Sequence, residues 1–176
     1  MLHRLLLAMA LALLPHIALA EAAPFGLPVG SATLQDVKQT LGPKTKLENA
    51  GLNKWSHGPM LKSNGAGLGI ESLQSAYFIF SPQEKLIGVL LTLPKERYAS
   101  VKNSLRSKYK LISAQEPFVG NQLARFRDGE ITIEASAPHM SFEMELTYTH
   151  AELRALRDRM SQAEAAQKQK IERSNL

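Results

Sequence analysis

Four carboxylates lie between positions 130 and 145: Glu130, Glu134, Glu143 and Glu145. Two carboxyl groups facing one another across a glycosidic bond are the acid and base of glycoside hydrolysis. The surrounding residues argue for something plainer. Arg125 and Arg127 stand on the neighbouring segment at the same alternate spacing as Glu143 and Glu145. Interleaved cations and anions describe a solvated sheet face, so Arg125, Arg127, Glu143 and Glu145 are read as possible partner-contact residues rather than as catalysts. The histidines His57, His139 and His150 show no metal-ligand spacing, although Glu134 and His139 flank a hairpin and could meet. "GAGLG" at 65–69 lacks the Gly-x-Gly-x-x-Gly order of a dinucleotide loop and no Gly-Lys-Ser/Thr follows it, so it reads as a turn. No Gly-x-Ser-x-Gly elbow is present. The chain contains no cysteine, which removes thiol redox chemistry and thiolate metal sites. The expectation is therefore no catalytic residue, no cofactor and no metal. Trp55 is the single tryptophan. Exposed, it would be a recognition hot spot; the expectation is that it caps the core, with partner contact as the other reading.

These residues need elements to hold them. "QLARFRDGEITIEAS" at 122–136 reads as a hairpin turning through Asp128-Gly129. That turn would pair Arg127 with Glu130, Phe126 with Ile131, Arg125 with Thr132 and Ala124 with Ile133. It gathers the apolar side chains on one face and the charged and hydroxyl ones on the other. "HMSFEMELTYT" at 139–149 alternates in the same way, with Met140, Phe142, Met144, Leu146 and Tyr148 on one side.

Two helices precede the strands. In "GSATLQDVKQTLG" at 30–42, Leu34, Val37 and Leu41 share a face, Ser31 or Thr33 can cap the start, and Gly42-Pro43 ends the helix with Gly as C-cap. In "LPKERYASVKNSLRSKYKL" at 93–111, Pro94 can open the helix and Tyr98, Val101 and Leu105 repeat that face at a constant offset of 64. Over 31–47 against 95–111, six of seventeen positions are identical. The expectation is a duplicated unit. In its first copy, 76–93 forms a hairpin through Ser81–Glu84, and its apolar arms, Tyr77–Phe80 and Leu86–Leu91, read as strands covered on both faces. "KTKLENA" and "NKWSHGPML" are candidate short strands.

The ends complete the plan. Residues 1–20 carry Arg4, ten apolar residues from Leu5 to Leu14, and Ala18-Leu19-Ala20. This reads as a secretory signal cleaved after Ala20, since a spanning helix needs about 20 apolar residues. The remainder, Glu21–Leu176, has no second long apolar run and is expected to be soluble and periplasmic, without a transmembrane segment. The net charge of +5 falls to +4 once Arg4 is removed. It is spread out, which disfavours nucleic acid as a partner. The tail, 150–176, favours helix, with Leu153, Leu156, Met160 and Ala163 as a short stripe and a second half that buries almost nothing.

"LPVGSATLQDVKQTLGPKT" at 27–45 resembles the opening of the small outer-membrane assembly lipoprotein family (the BamE-like group), through Gly30, Thr33, Val37, Leu41, Gly42 and Pro43. The repeated plan also looks like the tandem units of the beta-lactamase inhibitor protein group. The resemblance implies envelope binding and scaffolding rather than catalysis. The chain departs from the first group in lacking a lipid-bearing cysteine, and from the second in lacking disulfides. The expected fold is α+β: a signal peptide at 1–20, two tandem helix-plus-antiparallel-sheet units at 21–94 and 95–149, and a helical tail at 150–176. The expected function is non-catalytic binding in the cell envelope through an envelope protein partner. The alternative is a carrier or sensor of a small apolar ligand, held in a cavity between sheet and helices.

Overall fold

The structure, a computed structural model, describes residues 22–175. The segment expected to be a signal peptide lies outside them. Eleven longer elements follow in order: α1 (Leu34–Leu41), β1 (Glu48–Leu52), β2 (Pro59–Ser63), β3 (Ser75–Phe80), β4 (Leu86–Pro94), α2 (Tyr98–Arg106), β5 (Lys110–Gln115), β6 (Gln122–Asp128), β7 (Ile131–Ala137), β8 (Glu143–His150) and α3 (Ala151–Asn175). The strands make one antiparallel sheet in the order β1-β2-β3-β4-β8-β7-β6-β5. Each run of four strands is a meander, and the last strand of each run, β4 and β8, meet at the middle over seven residue pairs from Gly88↔Thr149 to Pro94↔Glu143. The fold is α+β with a C-terminal helix, and among the described residues no helix is long and apolar enough to cross a membrane.

Local chemistry explains the helix ends. Thr33 caps α1: its hydroxyl accepts from Asp36 N, while the Asp36 carboxylate accepts from Thr33 N, a complete capping box. The Thr33 backbone N–H and the Thr33 hydroxyl both donate to the Asp36 carboxylate and hold it below its ordinary value. Gly42 is the C-cap of α1 as expected, with φ −54° rather than a left-handed conformation and its N–H donating to Lys38 O, and Pro43 then stops the helix. Pro94 leads into a 3-10 turn, Lys95–Arg97, that runs straight into α2.

One face of the sheet carries the core. Across the strands, Leu61, Phe78, Val89, Tyr148, Ile133 and Phe126 form a row of cross-strand neighbours, and all are buried. Val37 and Leu41 of α1 and Tyr98, Val101 and Leu105 of α2 join the same cluster, so both helices cover this face.

Four expectations are corrected. The 122–136 hairpin turns through Gly129-Glu130, and Phe126 faces Ile133 rather than Ile131. The reason is the turn itself. A positive φ is needed at the first central position, and Gly129 (φ 54°) supplies it there, leaving Asp128 to complete β6 opposite Ile131. The displacement is two residues along the partner strand, so the faces stay sorted. Second, the last strand starts at Glu143, leaving Met140 and Phe142 in the preceding loop, each 89% exposed. Alternation alone did not reveal that "PHMSF" at 138–142 leaves the sheet. Third, Leu86–Val89 of β4 are all buried, as expected, but β3 alternates between buried and half-buried side chains. Tyr77, Ile79 and Leu90 are half-buried, because no helix lies over their side of the sheet except the first turns of α3. Fourth, "NKWSHG" at 53–58 is a loop between β1 and β2, and Trp55 is half-buried rather than a core cap.

Candidate functional site

The sheet's second face is open, and strand parity places the charged residues on it. One row of cross-strand neighbours crosses all eight strands: Ser113, Arg125, Glu134, Thr147, Leu90, Tyr77, Lys62 and Glu48. A second runs Arg127, Thr132, Thr149, Gly88, Ile79 and Met60. A third holds Ser136, Glu145, Thr92 and Ser75. The face is apolar in its middle and charged toward its sides.

The charges are locally paired. Arg125 Nε donates to Glu134 Oε2 at 2.6 Å, and Lys46 Nζ lies 2.8 Å from Glu48 Oε1. The Lys46 ammonium holds the Glu48 carboxyl below its ordinary value, and Glu48 in turn raises Lys46. Lys62 Nζ sits 5.3 Å from the Tyr77 ring centroid. Ser75 Oγ donates to Thr92 Oγ1 at 3.0 Å. Such exposed pairs contribute little to stability, but they fix the directions of the side chains involved.

A shallow groove of about 270 Å³ lies on this face, lined by Trp55, Ile79, Leu90, Glu145, Leu153 and Arg157 among others. Its two walls come from far apart in the chain. Trp55 is set by its loop: Asn53, itself buried, accepts at Oδ1 from the backbone N–H of Trp55 and of Ser56, both at 3.0 Å. The opposite wall is α3, which can reach the sheet because Gly88 has no side chain. A Cβ there would come within 2.7 Å of Leu153 Cδ2. Leu153 is the one buried residue of α3. Arg154 donates to Thr132 Oγ1, fastening the same turn.

All five candidate contact residues fall on or beside this face. Trp55 and Glu145 share the groove. Arg125 lies one row away beside Glu134, and Arg127 pairs across to Thr132. Glu143, two residues before Glu145 and hence of the same parity, stands where β8 begins. The four glutamates do not gather: Glu134 is engaged by Arg125, and Glu130 Oε2 lies 3.2 Å from His150 Nε2. Sequence reasoning missed Tyr77, Ile79 and Leu90 as site residues. Their signal was weak, since they sit within continuous apolar runs. Thr92 and Thr147 were the available hint, being hydroxyl residues of the same parity in central strands. Comparison of the chain with family models, with curated proteins and with solved structures returned no match.

Proposed function

We propose that the chain is an exported, soluble, non-catalytic binding or scaffold protein of the bacterial cell envelope, located in the periplasm and acting through protein–protein contacts on the open sheet face. The observation that carries this reading is the eight-strand row itself, with a half-buried aliphatic and aromatic centre beside Trp55 and charged flanks. An apolar centre ringed by polar and charged groups is the anatomy of a protein interface. Trp55 and Tyr77 are of the residue types that most often dominate binding energy. A signal cleaved after Ala20 would leave every described residue in place.

The same proposal includes duplication: 21–94 and 95–149 are tandem helix-plus-four-strand units that share one sheet. The mirrored strand order supports it, as do Leu34, Val37 and Leu41 recurring as Tyr98, Val101 and Leu105. The likeness of residues 27–45 to the outer-membrane assembly lipoproteins, and of the repeated plan to the inhibitor proteins, points to the same class of function.

The test is site-specific crosslinking in an envelope fraction, with a photoreactive residue at position 92, at the centre of the open face. One discrete protein adduct is expected, lost in Trp55→Ala and in Leu90→Arg. No adduct, or one that both variants retain, defeats the reading.

A further inference from the structure

The covered face of the sheet is not completely filled. A cleft of about 500 Å³ lies between α2 and the N-terminal segment, within the roughly 300–1,000 Å³ range of small-molecule sites. Its floor is Leu91 and Leu93 of β4 with Leu146 and Tyr148 of β8, the two strands that pair at the middle of the sheet. Val101 and Leu105 of α2 stand on one side, Phe25 and Ile70 on the other. The floor is therefore apolar, while Ser100 and Ser104 add hydroxyls to the rim. The cleft's charged lining consists of Arg97, Lys108 and Glu71, two cations and one carboxylate, which leaves one net positive charge.

Two observations distinguish this cleft from a packing flaw. Phe25 adopts φ 59° in the left-handed region that favours glycine, and such strain in a non-glycine residue gathers at ligand sites. Its ring stands edge-on to Phe78 at 6.1 Å between centroids. Arg97 is the second. One terminal nitrogen donates to the Glu71 carboxylate, while Nε is buried with no partner. A buried guanidinium N–H without an acceptor is costly, and a charged acceptor makes one of the stronger hydrogen bonds available to it.

We propose that this cleft binds a single-chain amphipathic carboxylate of the fatty-acid type. The alkyl chain lies over Leu91, Leu93, Leu146 and Tyr148, and the carboxylate pairs with the Arg97 guanidinium at the rim. One negative charge matches the one net positive charge of the lining. The site lies on the opposite side of the sheet from the proposed protein-contact face and does not depend on it.

Calorimetric titration of delipidated Glu21–Leu176, which keeps every described residue, tests this with octanoate, decanoate and dodecanoate below their micellar concentrations. Saturable one-to-one binding is expected, tightening about fourfold for each added methylene. Dodecanol should bind at least about tenfold more weakly than dodecanoate, the loss expected when a charge-assisted bond is removed. Arg97→Met should bring dodecanoate down to the level of dodecanol and leave dodecanol unchanged; a merely structural arginine would weaken both. Ser104→Trp, at an exposed position on the cleft's rim, should abolish binding with the circular dichroism spectrum intact, and Ser100→Trp serves if that variant misfolds. Trp55→Ala should leave fatty-acid binding untouched, so this result and that of the open-face test are separable. No saturable binding of dodecanoate, equal affinity for the alcohol, or full binding with the rim filled by Trp overturns the proposal.

Discussion

The two faces of the sheet are built from the same strands, one residue apart, and are filled by different rules. On the covered face, Phe78, Phe126, Ile131 and Ile133 are fully buried under α1 and α2. On the open face, their sequence neighbours Tyr77, Ile79, Arg125, Arg127, Thr132 and Glu134 are half-buried or exposed. The covered face carries the stability and the open face carries chemical variety. That division leaves the open face able to vary its contacts without unfolding the protein.

The largest expected effect comes from emptying the covered face. Phe126→Ala should cost about 3–5 kcal/mol, read as a lower urea midpoint with an unchanged slope. An open-face change as costly as this would dissolve the contrast. Next is the point where α3 meets the open face. Gly88→Leu should drive Leu153 off the sheet, because even a Cβ at Gly88 approaches Leu153 within 2.7 Å. Hydrogen exchange should then rise in the first turns of α3 while β6 and β7 stay protected.

High pH offers a third test. Burial, then the nearby Glu116 carboxylate, push the Tyr98 phenol up to about 12. Burial also raises Tyr148 and Tyr109. Each phenol keeps its proton more tightly folded than unfolded, so the stability involved is complete below about pH 10, the ordinary phenol value. It is lost as pH rises through about 12. A stability profile flat from pH 9 to 12 would contradict this, and Tyr148→Phe should blunt the loss. Smaller still is Arg125→Ala, which removes the exposed pair with Glu134 and should cost under about 1 kcal/mol. The smallest concerns the tail. Every residue from Ser161 to Asn175 is exposed, so deleting 165–176 should leave the melting temperature nearly unchanged.

Much of this was legible in the sequence, for identifiable reasons. Val37, Leu41, Val101 and Leu105 announce helix faces through spacing alone, and the structure buries all four. Arg125, Arg127 and Glu145 were assigned to one face because strand parity survives a register error of two residues. Phe126 opposite Ile133 was not legible, since it depends on which turn residue takes the positive φ. Met140 and Phe142 continued an alternating pattern past the point where the backbone leaves the sheet. Tyr77 and Leu90 could not be assigned to a face, because a continuous apolar run carries no period-two signal. Trp55 was misjudged for another reason: its place is set by the loop that Asn53 closes, which no periodicity announces.

By itself the sequence determined the two amphipathic helices and the sidedness of the alternating strands, because helix and strand periodicities, a capping Thr33 and the glycine of a tight turn act over a few residues. It also set the chemistry available, with no thiol and one tryptophan. Only the tertiary structure decided that β4 and β8 pair into one continuous sheet, that α3 docks at Gly88 to wall a groove, and that α2 and the N-terminal segment stand apart over an apolar floor. Those outcomes depend on contacts between residues far apart in the chain, whose partners are selected by the packing of the whole and not by any local pattern.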